Sequence, residues 1–108
     1  MTELKALYII ANAGFSSEIV DIARAAGASG ATILNARGSV AKPTTILGIT
    51  IDTEKEIILS IVTKNTAIKI SKEIQEKAGV GTPAHALCFF MPVEMSTMDI
   101  DKAEAEEK

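Results

Sequence analysis

At 108 residues the chain has the size of one domain with one hydrophobic core, which sets aside a multidomain arrangement. A formal net charge of −3, with Lys and Arg scattered along the chain, excludes the clustered basic footprint of a nucleic-acid binder. Hydrophobic residues make up 47%, but Trp is absent and the aromatics are Tyr8, Phe15, Phe89 and Phe90, so the core has to come from Ile, Val, Leu and Ala, as in a small α/β domain.

In chain order, Leu4 to Ala11 ("LKALYIIA") is an apolar, β-compatible run closed by the breaker cluster Asn12-Ala13-Gly14, and reads as a buried strand. Glu3 and Lys5 stand where a secretion signal has a purely basic region, and the run is too short to cross a bilayer. The chain is therefore read as unprocessed, cytoplasmic and not inserted in a membrane. "FSSEIVDIARAAG" follows with Ser16 or Ser17 as N-cap, apolar positions near helical spacing and Gly27 as the stop, which predicts a helix of about three turns.

A second strand, "ATILNA", is expected to break at Arg37-Gly38, and Pro43 removes a backbone donor from the stretch after it. Two strand-like pieces come next, "TILGITI" and "EIILSIVT", with Asp52-Thr53-Glu54-Lys55 as a hairpin loop between them. "NTAIKISKEIQEKAG" predicts a helix capped by Asn65 and closed by Gly79. The loop "VGTPAH" leads to a last strand, "ALCFFMPVE", interrupted by Pro92. The domain is drawn as residues 1–95, and the acidic segment 96–108 is expected to be a mobile tail.

No repeat of 20–50 residues is evident. The order of elements is that of an α+β, ferredoxin-like βαββαβ fold: an antiparallel sheet with both helices on one face and an extra strand or hairpin between the second strand and the next. The strands are near-continuous apolar runs rather than alternations with charge, the pattern of strands buried on both faces. Two helices cover one face, so other copies of the chain are expected to cover the second, which predicts a homo-oligomer.

Few residues offer chemistry. His85 and Cys88 are the only residues of their kinds and sit three positions apart across a strand start, where their side chains point to opposite faces, so a catalytic pair is not assembled. A single cysteine cannot form an intramolecular disulfide, which fits a reducing compartment, and no metal-ligand spacing is present. The acids fall on exposed helix faces or in the tail. Gly38, and Gly79 with Gly81, stand in loops after strands or helices where backbone N–H groups could approach an anion; the alternative is that they are turn glycines. Arg37 is either a fork for phosphate or carboxylate or a solvated strand-end cation. Thr32 is either a sheet hydroxyl or a donor to a ligand.

The stretch "GASGATILNARGSV", the loop after it and "GVGTPAHALCFFMPVE" together resemble the PII signalling proteins, the nitrogen-regulatory family, over Leu4 to Glu94. The resemblance implies a ferredoxin-like subunit in a homotrimer that is not an enzyme. It would sense a small anionic effector, an adenine nucleotide (ATP, ADP or AMP) or a cyclic nucleotide, in clefts between subunits. It would act on a partner protein, such as a membrane transporter, through a regulatory T-loop. Carried over by residue, Thr32 would face the adenine, Gly38 would start the T-loop at about 38–54 with Arg37 as its nearest cation, and the loop from Gly79 through Gly81 and Thr82, the B-loop, would cradle phosphates with its backbone N–H groups, His85 standing beside it.

Two departures stand out. The family carries a lysine in or beside the second loop, where this chain offers His85, and an arginine pair after the last strand, where "EMSTMDIDK" has none. Each missing charge-assisted hydrogen bond corresponds to roughly 1.5–3 kcal/mol, which implies an altered ligand or partner. The span 38–54 also contains no tyrosine to modify, and "TTILGITI" is apolar enough to pair as strand. The alternative within the same fold is a CutA-like trimeric metal-tolerance or structural protein that binds no nucleotide. An acylphosphatase-like use of Arg37 with Asn35 is the enzymatic reading.

Overall fold

Alternation along the first strand sets the layering. In β1 (Leu4–Asn12), Leu7, Ile9 and Ala11 are buried while Tyr8 and Ile10 are only half-buried, so one face is the covered one. The computed structural model describes residues 3–38, 44–46, 49–51 and 53–98. Among these, the elements after β1 are α1 (Ser16–Ala25), β2 (Thr32–Gly38), β3 (Thr44–Ile46), β4 (Ile49–Ile51), β5 (Thr53–Thr63), α2 (Lys64–Ala78) and β6 (Leu87–Pro92). Four strands form an antiparallel sheet in the order β2-β5-β1-β6, and β3 pairs with β4 separately. With both helices packed on one side, this is the ferredoxin-like α+β fold.

Directly opposed residues of an antiparallel pair share a face, so the register sorts the side chains. Leu7 and Ile9 lie beside Ile58 and Ser60 under the helices, where Ile19 of α1 and Ile70 and Ile74 of α2 close the core. Leu7, Ile9, Ile19, Ile58, Ile70 and Ile74 are the largest fully buried side chains, and each contributes roughly 1.5–3 kcal/mol by leaving water. Ile68, part of the same apolar set in the sequence, falls outside this stripe and is exposed.

The other face carries the rows Met91-Ala6-Ile61, Phe89-Tyr8-Leu59-Thr32 and Leu87-Ile10-Ile57-Leu34. Tyr8 stacks on Phe89 with ring centroids 5.2 Å apart and planes 9° from parallel. No described helix lies over these rows, and Leu34, Leu87 and Met91 keep 46%, 55% and 45% of their surface exposed.

Local details differ from the sequence expectations in four places. β2 does not break before Arg37; it runs through Gly38, with Arg37 opposite Glu54 and Gly38 opposite Thr53, because opposed charges favour continued pairing. Thr53-Glu54-Lys55 are accordingly strand, not hairpin loop, and among the described residues of "TTILGITI" β3 pairs with β4 rather than with β5. Neither Ser16 nor Ser17 caps α1: its N-cap is Phe15, which packs against the core and makes no side-chain cap bond. Asn65 does not cap α2 either. β5 passes into α2 without a connecting residue, so its last residue, Thr63, accepts from Thr66 N–H at 3.3 Å.

Both helix stops hold, for different reasons. Gly27 has φ +119°, and the bonds Gly27 N–H to Arg24 O and Ala28 N–H to Ala23 O form a Schellman closure. Gly79 has an ordinary φ of −74°, but a Cβ there would lie 2.6 Å from Gln75 O. Within the expected regulatory loop at 38–54, residues 39–43, 47, 48 and 52 lie outside the described residues, as do 99–108 of the expected tail.

Gly79→Ala is expected to lower stability by about 1–3 kcal/mol through that backbone overlap, read as a lower urea midpoint at unchanged slope. An unchanged midpoint would show that the turn relaxes freely.

Candidate functional site

The end of the sheet where β1 and β2 finish and β5 and β6 begin gathers most of the polar residues of interest. Arg37 and Gly38 close β2, Lys55 stands near the start of β5, Asn12 ends β1, and the loop 79–86 enters β6. Arg37 shares the helix-side face with Asn35 and Ile33. It lines a cavity of about 880 Å³ with Ser16 and Ser17 of the first turn of α1 and with Glu54 and Glu56. Glu56 accepts a hydrogen bond from Gly14 N–H at 2.7 Å.

The loop from α2 to β6 is knitted rather than loose. Gly81 takes φ +99°, which favours glycine there. Thr82 donates from both its N–H (3.1 Å) and its hydroxyl (2.8 Å) to Gly79 O, so its N–H turns inward. His85 N–H donates to Thr82 O at 3.0 Å, and Ala86 N–H donates to Ala78 O at 2.8 Å. His85 itself is exposed and has φ +46°, a left-handed conformation uncommon for a residue with a Cβ.

Thr32 stands apart. It begins β2 on the open face, opposite Leu59, five residues and about 17 Å of extended chain from Arg37. It is also on the far edge from the glycine loop: β2 and β6 are the outer strands, about 14 Å apart across three strand spacings. One chain therefore sets Gly79, Gly81, Thr82 and His85 in one loop, places Arg37 and Gly38 at the same end of the sheet but on the opposite edge strand, and leaves Thr32 at the other end of β2.

Two residues of this end were not singled out in the sequence. Asn12 donates from Nδ2 to Pro83 O at 2.9 Å and accepts from Lys55 Nζ at 2.5 Å, and its N–H donates to Ala84 O at 2.9 Å. In the sequence Asn12 is only a strand breaker, and nothing marks its partner 71 positions away.

Cys88 is half-buried on β6 and lies 3.5 Å from the Ser71 hydroxyl of α2. It borders a second cavity, of about 610 Å³, with Ile68, Val80, Leu87 and Phe90. Burial pushes its thiol pKa up, and the Ser71 contact offsets part of that. Among the described residues no three His, Cys, Asp or Glu are grouped to hold a metal ion, and no helix is long and apolar enough to cross a membrane.

No protein-family model and no curated protein sequence matches the chain. Solved structures do. A PII-like signalling protein from Thermus thermophilus superposes with a TM-score of 0.66 at 22% identity, over 84% of this chain and 86% of that one. CPII, a nitrogen regulatory PII-like protein from Thiomonas intermedia bound to ADP, AMP and bicarbonate, gives 0.65 at 17% identity over 90% and 97%. The periplasmic divalent cation tolerance protein CutA from Archaeoglobus fulgidus gives 0.69 at 12% identity over 97% and 99%. At these identities the likeness is one of fold: this chain has the fold shared by PII-like and CutA proteins.

For Cys88, the midpoint pH of iodoacetamide alkylation is expected to lie higher in the folded protein than in urea, and higher still in Ser71→Ala. Because the folded pKa is raised, this thiol's contribution to stability is complete below the ordinary thiol pKa of about 8.5 and is lost as pH rises through the folded value. Equal midpoints in folded and unfolded protein would remove the burial argument.

Proposed function

We propose that the chain is a PII-like regulatory protein, not an enzyme, acting in the cytoplasm as a homotrimer. It binds a small anionic effector of the adenine-nucleotide class between subunits and controls a partner protein, such as a membrane transporter, through the segment 38–54. The observation that carries this reading is the split of the candidate residues between opposite edge strands: Thr32 lies on β2 and the loop of Gly79, Gly81, Thr82 and His85 leads into β6. A single ligand touching both has to lie between copies. The open apolar face supplies a reason for copies to associate, since contiguous apolar surface of this kind marks an interface. The nucleotides bound to CPII support the effector class, and Arg37 is the cation proposed to meet the phosphate.

The departures noted in the sequence bear on which nucleotide is taken. With no arginine in "EMSTMDIDK" and His85 in place of a loop lysine, fewer cations face the phosphates, so a less highly charged member of the class fits better than ATP. A second reading, a CutA-like protein without nucleotide, is favoured by the near-complete mutual coverage of the Archaeoglobus structure. It would need metal ligands combined from different subunits.

Native mass spectrometry is expected to give a trimer, and Phe89→Asp, which buries a charge on the open face, is expected to give monomers. Calorimetry with ATP, ADP, AMP and cyclic nucleotides is expected to detect at least one ligand, with affinity falling about tenfold or more in Arg37→Ala, from the ~1.5 kcal/mol or more of a charge-assisted hydrogen bond. Silence across the panel from an intact trimer, with copper or zinc binding that weakens in His85→Ala, would replace this reading with the second.

A further inference from the structure

The exit of β1 is clamped from both sides. On one side three consecutive residues of β5 hold it: Glu54 O accepts from Ala13 N–H at 3.1 Å, Lys55 Nζ donates to Asn12 Oδ1 at 2.5 Å, and Glu56 Oε1 accepts from Gly14 N–H at 2.7 Å. On the other side Asn12 holds two successive carbonyls of the loop before β6, Pro83 O through Nδ2 and Ala84 O through its own N–H, both at 2.9 Å. The amide of Asn12 thus has one end on each side, and its orientation is determined: the reverse would set its NH2 against the Lys55 ammonium and its oxygen against Pro83 O.

The geometry points to Asn12 as a positioning residue that couples the 79–86 loop to the root of the β3–β4 hairpin. Lys55 is the third residue of β5 and follows the end of β4 by four positions, so a change in the path of β4 has only a few residues of chain to travel to its ammonium. A charged donor polarises the amide it binds, which strengthens the amide's own donation to Pro83 O. Loss of the Lys55 bond therefore weakens the hold on the loop. The left-handed backbone of His85 lies next to the held carbonyls and is sustained because both flanks are fixed, Ala84 O by Asn12 N–H and Ala86 N–H by Ala78 O. Coupling of this kind is reciprocal: a ligand that rearranges the loop shifts Lys55, and whatever draws Lys55 away loosens the loop. Its regulatory meaning rests on the loop being the effector-holding element, as proposed above; the coupling itself does not.

The test is a double-mutant cycle read by NMR hydrogen exchange at the hydrogen-bonded amides of Thr82, His85 and Ala86. Asn12→Asp keeps an acceptor for Lys55 but has no donor for Pro83 O, and Lys55→Met keeps the stem without the charge. Each single variant is expected to speed exchange at these amides several-fold, the double variant no more than Asn12→Asp alone, and the core amides of Ile70 and Ile74 are expected not to change. Lys55→Met without effect on the loop, full additivity in the double variant, or equal acceleration at Ile70 and Ile74 would each overturn the coupling. Titration of the same proteins with ADP separates the two ideas: an absence of binding counts against the effector reading, while the exchange cycle still decides the role of Asn12.

Discussion

A four-stranded sheet has two faces, and two helices on the same side can cover only one of them. Nearly everything else about this chain follows from that shortfall. Leu7, Ile9 and Ile58 find partners in α1 and α2, whereas the rows through Tyr8, Leu59 and Phe89 and through Ile10, Ile57 and Leu87 are just as apolar and have no described helix above them. Removing apolar surface from water is favourable, which is the physical basis for proposing that copies associate through this face.

The polar chemistry is displaced to the strand ends for the same reason. With both faces of the strands given over to apolar side chains, charged and amide groups collect where strands stop: Arg37 at the end of β2, Lys55 near the start of β5, Asn12 at the end of β1. These ends are also where unpaired backbone groups need partners. The Asn12 amide and backbone meet that need for the glycine loop, and Glu56 meets it for Gly14. The same bonds that satisfy the backbone connect two segments that the sequence keeps far apart.

Several local readings of the sequence failed in an instructive way. Ser16, Ser17 and Asn65 are sound capping residues, yet helix starts were decided by what precedes them: Phe15 is held by the core, and β5 runs directly into α2, which leaves Thr63 as the cap in position. The polar stretch Asp52-Thr53-Glu54-Lys55 has the composition of a turn, but the register of β2 against β5 draws Thr53, Glu54 and Lys55 into the strand. In both cases a long-range pairing outweighed a local preference. Where the determinant was local the expectation held, as with the left-handed Gly27 after α1.

The order of elements, the fold class and the presence of two apolar sheet faces were legible in the sequence alone, because they depend on the period and spacing of side chains along the chain. The unusual loop at Gly79 to His85 and the cation at Arg37 were legible as residue types. What only the tertiary structure decided was which of these share a place. Thr32 and Arg37 belong to one strand but to different faces and different ends of it, and Asn12 bonds Pro83 across 71 positions. Strand register fixes such neighbours, and register is a property of chain segments paired across space, which no single stretch of sequence contains.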